Sequence, residues 1–204
     1  MTVSLLKTSK PALLLVDIQK GFEELAYWGG QRNNADAEKN ASKLLHAWRS
    51  ANLPVFHIRH CSHNPRSPLR ESHKGNAFQE IVRPIAGEPV IRKHVNSAFI
   101  GTDLQQQLEQ LKISRLVVAG LTTDHCISTT VRMAGNLGYD THLVSDATAT
   151  FNKRAVDGTN YPAEIIHDTA LASLREEFAT IVTTQFLLEH FVPDLSMASR
   201  DLAS

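Results

Sequence analysis

Three side chains of the kinds used in nucleophilic catalysis follow apolar runs that are typical of buried strands. Asp17 ends the run ALLLVD, Lys93 ends PVIRK, and Cys126 follows RLVVAG across the turn LTTDH. A thiol can attack a substrate, a carboxylate can accept the thiol proton, and an ammonium can stabilise the resulting charge. If the strands bring these groups together, the sequence predicts cysteine catalysis without a histidine base.

Each of the three residues also has an ordinary structural interpretation. Asp17 could cap a turn, Lys93 could be a solvated side chain, and Cys126 could be a small buried apolar residue. Because Cys126 lies at the start of a predicted helix, the helix dipole and a nearby lysine would lower its pKa and favour the thiolate. Backbone amides of the turn GLTTDHC could face a developing oxyanion.

The composition limits the kinds of partner. Lys plus Arg and Asp plus Glu number 21 each in 204 residues, so no nucleic acid or anionic membrane is expected as a partner. The start MTVSLLKTSKP lacks a signal-peptide pattern, no run has membrane-spanning length, and Cys61 and Cys126 do not make a disulfide framework. We therefore expect a cytoplasmic protein with free thiols, a small-molecule substrate and no cofactor.

Apolar runs alternate with amphipathic segments, which is typical of a parallel sheet covered by helices. Six strands are predicted, at ALLLVD, PVFHIRH, PVIRK, RLVVAG, THLVSDA and ATIVTT. One helix is predicted from the capping-box spacing of Thr102 and Gln105, and another follows Cys126 and ends at Gly138. The pattern predicts a doubly wound α/β domain, in which ligands bind beyond the carboxyl ends of the strands.

Residues 61–89 interrupt this pattern with a segment rich in Pro, Gly, Ser and charge. We expect this segment to be a long surface excursion within a single domain of residues 1–204. Long loops in compact domains are often functional. The excursion could therefore supply an interface between subunits or close over a neighbouring site.

Several blocks of the sequence, in order, resemble the isochorismatase-like cysteine hydrolase superfamily, which includes nicotinamidases and N-carbamoylsarcosine amidohydrolase. The blocks are LLLVDIQKGF, IRKHVNSAFIGTDL, LVVAGLTTDHCISTTVRMAGNLGY, VSDATATF and HDTALASLREEFATIVTT. Together they extend over nearly the whole chain. The resemblance implies a doubly wound, three-layer αβα sandwich with a six-stranded, mainly parallel sheet.

The resemblance also implies a reaction and a set of site residues. Asp17, Lys93 and Cys126 would form the catalytic triad, and a cis peptide between Leu121 and Thr122 would turn the Thr122 amide toward the oxyanion beside that of Cys126. The expected reaction is hydrolysis of a C–N bond of a small amide through a thioester. Members of the superfamily are commonly oligomeric, so a homo-oligomer, dimer or tetramer, is expected.

The sequence departs from nicotinamidases at their metal site. Those proteins carry an Asp-x-His pair after the second strand, where this chain has HIRHCSHNP with His57, His60 and His63. A structural or substrate-lining role is favoured for these histidines, and no metal is predicted. True isochorismatases cleave a vinyl ether without a cysteine nucleophile, so Cys126 favours a C–N bond.

The wall of the substrate pocket is predicted less directly. The candidates lie near strand ends or beside the nucleophile, and each could equally be ordinary packing. They are Gln19, Phe22, Trp28, Phe99 and His125. Lys153 and Arg154 could bind a substrate carboxylate, although solvation is favoured, and Asp124 and Asp146 are interpreted as turn or cap residues. Cys61 is interpreted as a bystander thiol.

Three other functions remain open from the sequence. The same thiol chemistry could hydrolyse a ureido or carbamoyl group. The chain could also be a binding protein that keeps the pocket without activity, in which case a buried Cys126 should react slowly with iodoacetamide. A redox-sensing thiol is a further alternative, although no second cysteine lies close in sequence to resolve an oxidised Cys126.

Overall fold

A computed structural model describes residues 10–190, which are organised around one six-stranded sheet. Its strands are β1 (Ala12–Val16), β2 (Val55–His60), β3 (Val90–Lys93), β4 (Arg115–Leu121), β5 (Asp140–Ala149) and β8 (Thr180–Val182). A separate two-stranded ribbon is formed by β6 (Lys153–Arg154) and β7 (Asn160–Tyr161). The spatial order is β3-β2-β1-β4-β5-β8, and every neighbouring pair in this sheet is parallel. The predicted six-stranded sheet is confirmed.

The helices connect these strands. They are α1 (Leu25–Trp28), α2 (Ala37–Ser50), α3 (Leu104–Gln110), α4 (Ser128–Asn136), α5 (Ala163–Leu174) and α6 (Thr184–His190). Short 3-10 turns occur at Lys20–Glu23, Lys74–Asn76 and Glu80–Val82, and a π-helical turn at Thr123–Ile127 precedes α4. Residues 1–9, with most of the MTVSLLKTSKP segment, and residues 191–204 lie outside the described part. Within residues 10–190, no helix has the length and apolar character needed to cross a membrane.

The sheet separates two apolar cores because successive side chains of a strand point to opposite faces. Leu13 and Leu15 of β1 belong to the core that includes Trp48 of α2. Leu14 of β1 belongs to the other core, with Val131 of α4. The sheet is thus flanked by helices on both faces, in agreement with the expected three layers.

The strand order reverses beside β1, which creates a crevice at one edge of the sheet. From β1 the chain continues to β2 and β3 on one side, and β4, β5 and β8 lie on the other side. Ligands of doubly wound folds bind beyond the carboxyl ends of the strands at such a switch point. Candidate functional residues are therefore expected after β1 and β4.

Gly120 lets β4 pass very close to β1 beside this crevice. Its φ is 131°, and a Cβ built there would lie 1.9 Å from the carbonyl oxygen of Val16. A side chain at this position would collide with backbone, which cannot move away as a flexible side chain can. The pairing of Val16 with Gly120 therefore requires glycine.

Of two predicted helix starts, one is wrong in detail. The spacing of Thr102 and Gln105 predicts a capping box, but α3 begins at Leu104 without a capping bond from its N-cap residue Asp103. The Gln105 side chain donates to Glu109 instead. The helix predicted after Cys126 is α4, which begins at Ser128 as expected. A π-helical turn from Thr123 to Ile127, which was not predicted, precedes α4 and contains Cys126.

Residues 61–89 form a partly buried wall rather than a purely surface excursion. Leu69 and Val82 are 3% and 0% exposed. Asn76 donates through Nδ2 to the carbonyl oxygen of Leu69 at 2.6 Å and to that of His60 at 2.9 Å. The last part of the segment is held by Glu88, which contacts residues of α2 and β2. The segment therefore packs against its own domain.

Candidate active site

Asp17, Lys93 and Cys126 meet beyond the carboxyl ends of the strands. Lys93 Nζ lies 2.7 Å from Asp17 Oδ2 and 3.2 Å from Cys126 Sγ. The three residues are 0%, 0% and 8% exposed, respectively. Parallel strands end at the same edge of a sheet, so residues far apart in sequence are placed side by side. The structure therefore brings the three predicted side chains into contact.

The Lys93 ammonium is enclosed by acceptors. Besides its contacts with Asp17 and Cys126, Nζ lies 3.0 Å from His60 Nδ1 and 3.2 Å from the carbonyl oxygen of Val95. Burial alone would lower the pKa of Lys93, but the charges of Asp17 and the Cys126 sulfur outweigh burial and raise it. Lys93 is therefore a permanent positive charge at the centre of the site.

Asp17 keeps one carboxylate oxygen available. Its backbone is in the left-handed region, with φ 54°, a conformation that Asp tolerates better than most residues. Oδ2 faces Lys93, whereas Oδ1 has no hydrogen-bond partner among residues 10–190. A buried carboxylate oxygen without a partner, next to a thiol, is a candidate proton acceptor.

The thiol of Cys126 is protonated near neutral pH, contrary to the expectation from the helix start. Burial and the negative charge of Asp17 raise the pKa of Cys126, and they outweigh the lowering effect of Lys93. A nucleophilic role for Cys126 would therefore need a base to take the thiol proton, and Asp17 is the candidate. Slow alkylation near neutral pH thus no longer distinguishes an idle cysteine from an active one.

His60 is part of the same cluster, a contact that was not predicted from the sequence, where a structural or substrate-lining role was favoured for it. It ends β2 opposite Lys93 in the strand register, and one of its ring nitrogens lies within 4.8 Å of both an Asp17 oxygen and Cys126 Sγ. The strand-end rule that selects Asp17 and Lys93 applies equally to the run PVFHIRH. The sequence favoured a structural or substrate-lining role for His60 but did not place it beside Lys93.

The protonation of His60 follows from its partner. Burial lowers the pKa of His60, and the positive charge of Lys93 lowers it further. Because an ammonium can only donate, His60 Nδ1 must accept the bond from Lys93, and the proton of the neutral ring is assigned to Nε2. His60 is therefore neutral near pH 7.

A small cavity opens above Cys126. Its volume is about 170 Å³. It is lined by Phe22, Tyr27, Trp28, His60, Ser62, Ser67, Leu69, Asn96, Thr122, His125 and Cys126. The excursion contributes three of these residues, Ser62, Ser67 and Leu69, and so forms part of the wall.

The peptide bond between Leu121 and Thr122, at the same end of β4, is cis. Binding of an oxyanion by the backbone amides of Thr122 and Cys126 stays a prediction.

Comparison with known proteins places this geometry in a family. The model of the isochorismatase domain matches residues 11–186 of the chain. The chain belongs to the isochorismatase family. The uncharacterised isochorismatase family protein YrdC of Bacillus subtilis (strain 168) is 48% identical over 183 residues, which is 90% of this chain and 97% of that protein.

Two further members of the isochorismatase family support the assignment. Nicotinamidase 3 of Arabidopsis thaliana is 30% identical over 187 residues, covering 84% of this chain and 83% of that protein. A solved structure of an isochorismatase-family protein from Chromobacterium violaceum ATCC 12472 superposes with a TM-score of 0.87 at 40% identity. It covers 92% of this chain and 96% of that one. The fold is thus shared along nearly the whole chain.

The predicted wall residues of this family member divide into two groups. Phe22, Trp28 and His125 line the cavity, whereas Gln19 and Phe99 do not. The Gln19 amide bonds the backbone of His60 and donates to Asn76 O at 2.8 Å, so it supports the end of β2. Phe99 is 7% exposed and stacks on Tyr139, with ring centroids 5.8 Å apart. Both residues have structural roles.

The histidines of β2 and of the segment after it do not converge on one point. His57 Nε2 lies 2.8 Å from Glu88 Oε2, and the ring of His63 lies 4.4 Å from that of His94. Asp17, His60 and Cys126 are close enough to hold a cation, but the Lys93 ammonium already contacts all three. Lys93 thus supplies the positive charge at this point.

Charged residues next to the cavity are engaged by one another. Lys153 Nζ lies 3.4 Å from Asp124 Oδ2, so Lys153 is paired rather than solvated. Asp124 also accepts a hydrogen bond from Thr150 Oγ1. Asp146 accepts from the backbone N–H of Thr184 at 2.8 Å, at the start of α6, in agreement with a cap role. Arg154 is exposed and Cys61 is a buried free thiol.

Proposed function

We propose that the chain is a cysteine hydrolase that cleaves the C–N bond of a small amide through a thioester. The observation that carries the proposal is the contact of one ammonium, Lys93, with both the Asp17 carboxylate and the Cys126 sulfur, at 2.7 and 3.2 Å. The sulfur lines a cavity of a size suited to a small molecule. The similarity to a protein named nicotinamidase supports an amide substrate.

The first step is attack by sulfur. Cys126 Sγ bonds to the carbonyl carbon of the amide while Asp17 Oδ1 takes the thiol proton. Lys93 remains between the two groups and stabilises the negative charge on either one. In the proposal, the backbone amides of Thr122 and Cys126 bind the oxyanion of the tetrahedral intermediate.

The second step releases the amine and then the acid. The C–N bond breaks as Asp17 returns its proton to the leaving nitrogen, which leaves ammonia or an amine and a thioester on Cys126. Asp17 next takes a proton from water, whose oxygen attacks the thioester carbon. The C–S bond breaks, the proton returns to sulfur, and the carboxylic acid leaves with the resting thiol restored.

His60 supports this cycle by positioning Lys93. The neutral ring accepts a hydrogen bond from Nζ and thereby fixes the direction of the ammonium between Asp17 and Cys126. A protonated His60 would lose this bond and repel Lys93. The proposal therefore requires a neutral His60 during turnover.

The proposed reaction is tested by ammonia release from a panel of small amides, ureido acids and carbamoyl compounds. We expect turnover of amides by the wild type, a loss of at least about 10³-fold for Cys126→Ala, and retained activity for Cys61→Ala, which removes the other buried thiol. If the wild type prefers ureido or carbamoyl compounds, the same cysteine mechanism applies and the substrate class is ureido or carbamoyl instead of amide. Full turnover by Cys126→Ala would exclude the proposed nucleophile.

A further inference from the structure

The cavity above Cys126 has a rigid aromatic side. The ring centroid of Trp28 lies 4.5 Å from that of Phe22 and 4.8 Å from that of Tyr27. Trp28 Nε1 donates to the carbonyl oxygen of Gly21 at 2.8 Å, which fixes the indole and uses its only polar group. This side of the cavity is therefore suited to an apolar group.

Other lining residues have polar but uncharged side chains. They include Ser62, Ser67, Thr122 and Asn96. These groups donate and accept hydrogen bonds without adding a charge. Moreover, a cavity of about 170 Å³ is smaller than the ~300 Å³ at the lower end of sites for drug-sized ligands. The site is therefore suited to a compact molecule.

Two cations close to the cavity, Lys93 and Lys153, are paired with carboxylates. Lys93 Nζ faces Asp17 at 2.7 Å, and Lys153 Nζ faces Asp124 at 3.4 Å. Among the residues of the described range 10–190 that line the cavity, none is Arg, Lys, Asp or Glu. A charged group on a ligand would thus find no free partner of opposite charge in this wall.

The two histidines of the wall do not change this balance. Burial is the largest effect on both His60 and His125, and it lowers the pKa of each ring. Lys93 adds to the lowering at His60, and Asp124 opposes it in part at His125. Both rings are therefore neutral near pH 7 and offer hydrogen bonds rather than charge.

We propose that the substrate is a small amide without net charge, whose apolar group lies on Trp28 and whose amide carbon lies over Cys126. This inference rests on the proposed amide hydrolysis and adds the substrate class. A carboxylate in the cavity would lose its hydration without gaining a cation, which is strongly unfavourable. The site therefore selects neutral amides against half-amides of dicarboxylic acids.

Matched pairs of amides test the inference. Butyramide and succinamate differ by a methyl group in place of a carboxylate, and benzamide and 3-carbamoylbenzoate differ by the carboxylate alone. We expect kcat/KM of the wild type to be at least about 100-fold higher for the neutral member of each pair. Ligand-observed NMR with Cys126→Ala makes the same comparison for binding, without chemistry.

A cation added to the cavity wall tests the inference by substitution, and an uncharged substitution of the same residue is the matched control. Tyr27 is 43% exposed, so Tyr27→Lys can place an ammonium at the cavity with little effect on the core. The preference for the neutral member should fall at least about 10-fold in Tyr27→Lys. Tyr27→Met, which removes the ring without adding charge, should keep the wild-type ratio.

The outcomes separate the inference from the function on which it rests. The inference is overturned, and the amidase function stands, if the wild type hydrolyses succinamate and 3-carbamoylbenzoate as well as or better than the neutral amides. It is also overturned if the ratio of kcat/KM between neutral and charged members is unchanged in Tyr27→Lys. If no amide is hydrolysed, the proposed function fails, and NMR binding then decides the inference. Binding of the neutral members alone supports an uncharged ligand, and binding of the charged members overturns it.

Discussion

The Asp17 carboxylate and the Cys126 thiol compete for one proton. Burial and the charge of Asp17 raise the pKa of Cys126, so the proton rests on sulfur, and Lys93 balances the charge of Asp17. The resting site thus holds one buried ion pair and a neutral thiol, so no second buried negative charge lies beside the Asp17 carboxylate. In the proposed reaction, attack by sulfur is therefore coupled to transfer of the thiol proton to Asp17.

Substitution of His60 tests its role as the acceptor for Lys93. Asn places an amide oxygen near the position of Nδ1, whereas Gln places its amide nearer to Nε2. We therefore expect kcat of His60→Asn to stay within about 10-fold of the wild type, and kcat of His60→Gln and His60→Ala to fall by about 10²-fold. Steady-state kinetics with an amide substrate measure the difference.

The pH profile separates this role from simple packing. The groups that face His60 are Asp17, Lys93, His63 and His94, and protonation of its ring below pH ~6.5 removes the acceptor. Activity of the wild type should therefore fall on the acid side, and this limb should be weaker in His60→Asn. Equal kcat for the Asn and Gln variants, with unchanged acid limbs, would assign His60 to packing alone.

At the element scale, the strand ends could be predicted from the sequence and the connecting segments could not. Asp17 and Lys93 follow short apolar runs, and the sheet geometry then places them together. Residues 61–89 have the composition of a surface loop, yet Leu69 is buried because distant elements pack on it. The capping box at Thr102 failed for a related reason, since a local spacing does not include the tertiary contacts that decide where a helix begins.

The close passage of β4 along β1 predicts a sharp effect at Gly120. Gly120→Ala would place Cβ 1.9 Å from the Val16 carbonyl oxygen at φ 131°. We expect the free energy of unfolding to fall by more than about 3 kcal/mol and activity to be lost, because the turn before Cys126 must move. Urea denaturation measures the change.

Gly138→Ala is the matched control for this effect. Gly138 also has positive φ, at 86°, but a Cβ there has no atom within 4 Å. Gly138→Ala should lower the free energy of unfolding by about 1 kcal/mol, which is the cost of holding a residue with a Cβ at positive φ. Equal losses for the two variants would show that the contact with Val16 does not decide the requirement for glycine.

At the scale of the whole molecule, buried histidines make stability depend on pH. Burial lowers the pKa of five histidines below the usual 6.5, namely His57, His60, His125, His142 and His167. Burial raises the pKa of Glu88, but bonds from Arg49, Ile85 and His57 outweigh burial and lower it to about 2. The folded state thus binds fewer protons than the unfolded state at acid pH.

The sign of the pH dependence follows from these shifts. The histidine contribution to stability is complete above pH ~6.5 and is lost as the pH falls below that value, and the contribution of Glu88 is lost between pH ~4.5 and ~2. Urea denaturation should therefore give a lower free energy of unfolding at pH 5 than at pH 7.5. Equal or greater stability at pH 5 would contradict the burial of neutral histidines.

The expected homo-oligomer and the cytoplasmic location stay predictions. Light scattering of the purified protein tests the first of them. A mass of two or four times the 22.6 kDa chain would support a dimer or a tetramer. A mass of one chain would exclude both at the concentration measured.

The most direct test of the account is the intact mass of the protein during turnover. The wild type is mixed with a hydrolysed amide and quenched in acid within the first turnover, and peptide mapping locates any adduct. We predict a mass increase equal to the acyl group, on Cys126 and absent from Cys126→Ala. Turnover by Cys126→Ala at the wild-type rate, or an acyl group on another residue such as Cys61, would contradict the account.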